Sequence, residues 1–146
     1  MDAICKRLEL WRQGNLPHFI HEFETSIFVV GEHQHYEGYS LLYLKEHVEN
    51  LVDLDPKTNQ QLALELQIAS GAVIAAFNPW KLNYQLIGNK AQHIHWHILP
   101  RYESDPYQKE LPFYDVIKAQ LDLSKTSITH QQAADVAGQI RAQLPL

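Results

Sequence analysis

The sequence predicts an α+β domain organised on an antiparallel sheet. Three observations carry that expectation. The element order reads helix, two strands, helix, two strands, loop, helix; each strand pair is joined by a short link containing glycine; and one long helical stripe separates the two pairs. A chain of 146 residues fits one compact domain, taken as 1–146.

Each element has its own signal. Residues 3–13 put Ile4, Leu8 and Trp11 on one side of a helix that Gly14 and Asn15 stop. Residues 27–30 and 39–44 are apolar, strand-like runs, and the glycine-bounded segment 31–38 between them makes a hairpin. Asp55 is the expected N-cap of the longest helix, with Pro56 in its first position. Leu62, Leu66, Ala69, Val73 and Phe77 form its stripe, and Asn78-Pro79 ends it. Residues 80–87 read as a strand, 88–90 as a turn and 92–99 as the next strand, closed by Pro100. A polar loop over 103–112 and an amphipathic helix over 130–144, capped by Thr129, complete the chain.

Composition narrows the function. Hydrophobic residues at 45% and charged residues at 20% are the balance of a soluble globular protein. A net charge of −5 argues against binding long nucleic acid, which needs a basic face, but permits a small positive pocket. The first six residues lack the apolar core of a signal peptide, and the longest apolar run, near 72–77, is too short to span a bilayer. No membrane partner is expected, and the expected location is the cytoplasm. Cys5 is the single cysteine, which excludes an internal disulfide and a cysteine-based zinc site within one chain.

Histidine is over-represented, with nine residues, and three of them stand at 93, 95 and 97. On a strand, alternation puts His93, His95 and His97 on one face, while Ile94, Trp96 and Ile98 pack into the core. Three such imidazoles could chelate metal, act on phosphorus, or simply form a satisfied polar face. Residues two apart on a strand lie roughly 6.6 Å apart. A neighbouring pair could chelate one ion, but all three could hardly share it, and a metal would need ligands from elsewhere such as His35 or Glu37. Phosphorus chemistry uses such spacing: a neutral middle imidazole attacks while its neighbours bind oxygens.

The run 93–99 resembles the histidine triad signature, His-φ-His-φ-His-φ-φ with φ apolar, at every position. The following Pro100-Arg101 is similar to the diadenosine polyphosphate hydrolase and fragile histidine triad branch. Gly38 before an apolar strand, then Lys45-Glu46-His47, then Leu54-Asp55-Pro56, extend the likeness over about 25–102, leaving 103–146 as a C-terminal loop and helix. The resemblance implies a sheet of five or six strands with one main helix packed on it and a C-terminal helix. It also implies a homodimer, and a hydrolase or transferase acting at the α-phosphate of a nucleoside phosphate such as a dinucleoside polyphosphate.

In that reading His95 becomes transiently nucleotidylated, His97 lies near the leaving group, and His93 orients the cluster. Asn89, Asn83, Gln85, Lys90 and Arg101 are the expected substrate-binding residues. The partner is a small nucleotide. No tightly bound cofactor is expected beyond a divalent cation such as Mg²⁺ carried by the substrate, and no protein metal ligand is expected. Two competitors stand beside this reading: a nucleotide-binding module with little turnover, and a metal-dependent enzyme using His93 or His95 with His35.

Two departures concern the substrate. Tyr39 stands where many members have histidine, and Gly31 where the fragile histidine triad branch has a ribose-side asparagine. The cysteine pair of zinc-bearing relatives is absent. His33 and His35 read as part of a polar loop at the pocket mouth, His47 as structural, and Cys5 as a small, partly buried helix residue.

Overall fold

The computed structural model describes residues 1–145. The elements are α1 (Ala3–Arg12), β1 (Phe19–Glu22), β2 (Ser26–Val30), β3 (Ser40–Leu44), α2 (Pro56–Phe77), β4 (Lys81–Gln85), β5 (His95–Arg101), α3 (Tyr114–Ala119) and α4 (His130–Arg141). Among the described residues five strands form one sheet in the order β1-β2-β3-β5-β4, with every neighbouring pair antiparallel. The expected α+β class and hairpins are present, and β5 runs through the sheet interior. No helix among the described residues is long and apolar enough to cross a membrane.

Alternation along the strands makes two cores. Phe28, Val30, Leu42, Leu44, Leu82 and Ile98 face α2 and α4, meeting Leu62, Ala69, Val73, Ala137 and Ile140. Ile27, Val29, Leu41, Tyr43 and Leu99 face the other way, under Ile4 and Leu8 of α1. The triad strand thus presents its odd-numbered side chains to the α1 layer.

The helix ends follow the sequence signals. Asp55 accepts from the Lys57 and Thr58 amides, Asn78 closes α2 in the left-handed region at φ 48°, and Thr129 makes a reciprocal capping box with Gln132. The buried Glu65 of α2 accepts from the Thr25 amide at 2.7 Å, the Thr25 hydroxyl at 2.6 Å and the Ser26 hydroxyl at 2.7 Å, with Gln61 Nε2 of its own helix at 3.4 Å. That network ties α2 to the start of β2.

Two elements go unread in the sequence, and three expectations need correction. β1 and α3 do not stand out in the sequence: β1 has four residues with a bulge at Phe19/His21, and α3 has six with left-handed residues at both ends. Pro100 does not close the triad strand. It pairs with Leu82 beyond the last β3 partner, Ser40 with Ile98, so its missing N–H interrupts no β3 ladder bond. The strand also begins at His95, not at residue 92. The last helix ends at Arg141, short of residue 144.

Candidate active site

His95 and His97 project from β5 into a cleft of about 530 Å³ beneath α1, with ring centroids 5.0 Å apart. The turn residues Gly88, Asn89 and Lys90 close one wall, and Arg7 of α1, Glu32 and His33 form the other.

Hydrogen bonds fix the tautomer of the middle histidine. Nδ1 of His95 lies 2.6 Å from the His93 carbonyl oxygen, which can only accept. Nδ1 therefore carries the proton, and Nε2 keeps its lone pair. Burial lowers the His95 pKa below the ordinary value, with His93 and Arg7 adding in the same direction. A backbone atom thus holds the ring with its Nε2 lone pair unshared, and burial favours its uncharged form.

His97 meets the Tyr39 hydroxyl through Nδ1 at 2.7 Å. Burial first, then the neighbouring His95 and His33, lower its pKa to about 4. Burial raises the Tyr39 pKa, so the phenol stays protonated and can donate to Nδ1, leaving the His97 proton on Nε2. The Tyr39 ring stacks between His33, at 4.9 Å, and His97, at 6.0 Å. A Cβ on Gly31 would lie 2.3 Å from the Tyr39 ring, so the ring in this position leaves no room for a side chain at 31.

His93 does not join its partners on the strand face. It sits in a bend before β5, fully buried, with its amide on the Ala91 carbonyl. Its Nε2 donates to the Leu44 carbonyl at 2.6 Å, which leaves Nδ1 as a lone pair. That lone pair faces a second cluster under the start of α1: His47 Nδ1 at 3.2 Å, Cys5 Sγ at 3.5 Å and Asp2 Oδ2 at 3.6 Å. Within it His47 Nδ1 lies 3.0 Å from Asp2 Oδ2 and 3.4 Å from Cys5 Sγ.

All four ligand-type atoms lie within 4.8 Å of one another. The edges of a tetrahedral zinc site with nitrogen, oxygen and sulfur ligands are roughly 3.3–3.7 Å, close to these separations. Asp2 Oδ2 is buried without a hydrogen-bond partner. Burial alone would raise the Asp2 carboxyl, but hydrogen bonds from Cys5 and the nearby His93 bring it down to about 2, so it is anionic. The donor set fits a divalent metal. The expected exclusion of a cysteine-containing metal site therefore needs correction: one cysteine is enough where carboxylate and imidazole offer the other ligand atoms.

The expected substrate residues divide. Asn89 and Lys90 line the cleft, and Gln85 pairs with His97 across the β4–β5 ladder, so it shares the triad face. Arg101 and Asn83 do not serve the cleft. Arg101, 1% exposed, donates to Asn83 Oδ1 at 3.1 Å, Asp105 at 3.1 Å and the Tyr107 and Glu110 carbonyls at 2.8 Å, and lies over the Tyr36 ring at 4.9 Å. It clamps the loop that follows β5. The expected metal partner His35 is likewise committed, to Asp115 at 2.7 Å, while His33 reaches the cleft wall.

Arg7, Asp2 and Glu32 were not expected at the site. The apolar stripe of α1 was legible, but nothing in the sequence says that α1 packs over the triad. His47, expected to be structural, belongs to the metal-type cluster.

The class of protein follows from this sheet and its triad, and the HIT domain family model matches residues 14–104. The chain belongs to the histidine triad family. Its fold is similar to that of a hypothetical histidine triad nucleotide-binding protein from Sulfolobus tokodaii, with TM-score 0.72 and 21% identity over 95% of this chain and 91% of that one. It is also similar to a Zn-bound histidine triad family protein from Mycobacterium smegmatis, with TM-score 0.67 and 21% identity over 97% and 91% of the two chains. A third similar fold is the diadenosine triphosphate hydrolase of Plasmodium falciparum, with TM-score 0.66 and 17% identity over 86% and 75%. No functionally curated protein matches the chain significantly.

Proposed function

We propose that the protein hydrolyses a nucleoside phosphate at its α-phosphorus through a nucleotidyl-His95 intermediate. The observation that carries this is the His95 tautomer: the His93 carbonyl holds the proton on Nδ1 and leaves Nε2 as a free lone pair beside the cleft. A binding module has no need of a neutral nucleophile in the middle of the site.

The Nε2 lone pair attacks the α-phosphorus, and the bond to the leaving oxygen breaks with its electron pair on that oxygen. The developing imidazolium keeps its Nδ1–H on the His93 carbonyl. His97, neutral at pH 7, donates its Nε2–H as a hydrogen bond to the phosphoryl or bridging oxygen. Water then attacks phosphorus, the P–N pair returns to Nε2, and the proton lost by water passes to solvent. A neutral His97 is a weak acid, so leaving groups that depart as stable anions suit this site. A nucleoside di- or triphosphate, as released from a dinucleoside polyphosphate, is such a group. Asn89, Lys90 and Gln85 are the remaining candidates for phosphate contact.

His95→Ala tests the reading directly. Turnover should disappear while nucleotide binding persists, and full activity in that variant would end the proposal.

We further propose that Asp2, Cys5, His47 and His93 hold a structural zinc ion, a reading supported by the convergence of their four ligand-type atoms and by a buried Asp2 Oδ2 that faces both imidazoles without a well-formed hydrogen bond. Such an ion would pin α1 to the sheet and fix the His93 backbone on which His95 depends. Bound zinc by itself is then no sign of a metal-dependent reaction. A homodimer is also part of this reading. The edge strand β4, with exposed Tyr84 on it and exposed Trp80 just before it, is the contact we favour, and light scattering of the full chain checks it. The reducing cytoplasm, where a free thiol such as Cys5 persists, is the proposed setting.

A further inference from the structure

The triad cleft contains a cation that the chemistry above does not use. Arg7 follows Ile4 by three residues on α1, which turns it toward the sheet. Its Nη1 donates to the Tyr43 hydroxyl at 2.7 Å, and its guanidinium carbon lies 5.9 Å from the centre of that ring. Tyr43 is fully buried and pairs with His95 across the β3–β5 ladder, with the two rings 6.4 Å apart edge-to-face. A rigid phenol thus holds a guanidinium beside the nucleophile.

The other arm of the guanidinium, Nη2, is paired with the Glu32 carboxylate. The two partners differ in freedom: the Arg7 side chain is 27% exposed and Glu32 is 66% exposed, at the rim. Among the described residues lining the cleft, Arg7 and Lys90 are the cations and Glu32 is the anion. A carboxylate and a phosphate present similar paired oxygens to a guanidinium fork. The nucleophile dictates that a phosphoryl group must come to this end of the cleft.

We propose that Arg7 is a phosphate-binding residue of the triad cleft, and that Glu32 occupies its guanidinium until a phosphate displaces it. This rests on the nucleotide reading of the site. It makes a prediction of opposite sign for two neighbouring residues. Loss of Arg7 weakens phosphate binding, whereas neutralising Glu32 removes a competitor and strengthens it. A pair that read a base edge together, guanidinium and carboxylate each bonding the ring, would weaken binding in both variants.

The experiment is calorimetric titration of the full chain with AMP, adenosine and inorganic diphosphate, for wild type, Arg7→Met, Arg7→Lys and Glu32→Gln. Met retains the unbranched stem, Lys retains the charge, and thermal melts establish that each variant is folded. The expected result is about a tenfold weaker AMP affinity in Arg7→Met, an intermediate value in Arg7→Lys and a severalfold tighter one in Glu32→Gln, with adenosine unaffected. Equal AMP affinity in wild type and a folded Arg7→Met overturns the proposal. So does equal weakening of AMP and adenosine in Arg7→Met and Glu32→Gln. If AMP does not bind wild type but diphosphate does, and Arg7→Met abolishes that, the anion site stands and the nucleotide reading falls. If wild type binds neither, both fall.

Discussion

Replacing Tyr39 with phenylalanine removes one oxygen and tests the coupling on which His97 depends. The ring stays stacked between His33 and His97, so packing is preserved. The hydroxyl 2.7 Å from His97 Nδ1 is lost, and that nitrogen has no other hydrogen-bond partner. An unsatisfied buried acceptor costs about 1–3 kcal/mol. That cost reaches kcat because the transition state uses the Nε2–H tautomer that the phenol selects; with about 1.4 kcal/mol for each factor of ten, a cost near the middle of that range lowers kcat roughly thirtyfold. KM should change by less than about twofold, because the hydroxyl orients His97 and is not assigned a contact to nucleotide. The assay is steady-state hydrolysis of a diadenosine polyphosphate from pH 5 to 8, with melting curves for both proteins. Tyr39→His is the companion variant: it restores a hydrogen bond but adds a titrating ring, so its rate should fall below about pH 6.5 while wild type holds. A folded Tyr39→Phe with wild-type kcat at every pH would refute the argument that this phenol sets the His97 tautomer.

Acid stability should report the same ring. His97 has a pKa of about 4 in the fold against 6.5 in the unfolded chain, so between those values the unfolded state takes up a proton that the native state does not. Its contribution is full above about pH 6.5, is lost as pH falls through about 4, and amounts to about 3 kcal/mol at most. Urea midpoints at three pH values should show this slope in wild type and a flatter one in His97→Asn; equal slopes would contradict it. Arg101→Met should free the loop after β5, because four acceptors lose their donor, and limited proteolysis should cut within 103–112. Unchanged protection there would show that the clamp is dispensable. Chelation should lower the melting temperature and expose Cys5 to alkylation, and Asp2→Ala should reduce zinc content. A chain that purifies without metal and is indifferent to chelator would remove the zinc proposal.

The triad, the two hairpins and the caps of α2 and α4 were legible because each depends on local pattern: alternation, turn residues, or a capping side chain three positions from its amide. His93 shows where alternation stops working. The strand geometry assumed for 92–99 does not begin until His95, and the Ala91 turn swings His93 toward Leu44 and α1. Arg101 shows a second limit. A cation next to the triad strand reads as a ligand, yet its partners come from Asp105, Tyr107 and Glu110, whose loop path no periodicity records. The Asp2–Cys5–His47–His93 cluster joins residues up to 91 positions apart, and only the packing of α1 on the sheet brings them together. Tyr39 and Gly31 read separately in the sequence as departures; only the fold shows that the Tyr39 ring occupies the space a side chain at 31 would need.

The central claim is a covalent bond between His95 and a nucleotide. Intact-protein mass spectrometry after rapid quenching tests it, using diadenosine polyphosphates, an adenosine phosphoramidate and a nucleoside diphosphate sugar as the panel. The account predicts a mass increase of one nucleotidyl group in wild type with at least one polyphosphate substrate, acid-labile and absent from His95→Ala. Product formation without any adduct at the shortest quench times, or an adduct that persists in His95→Ala, would contradict it.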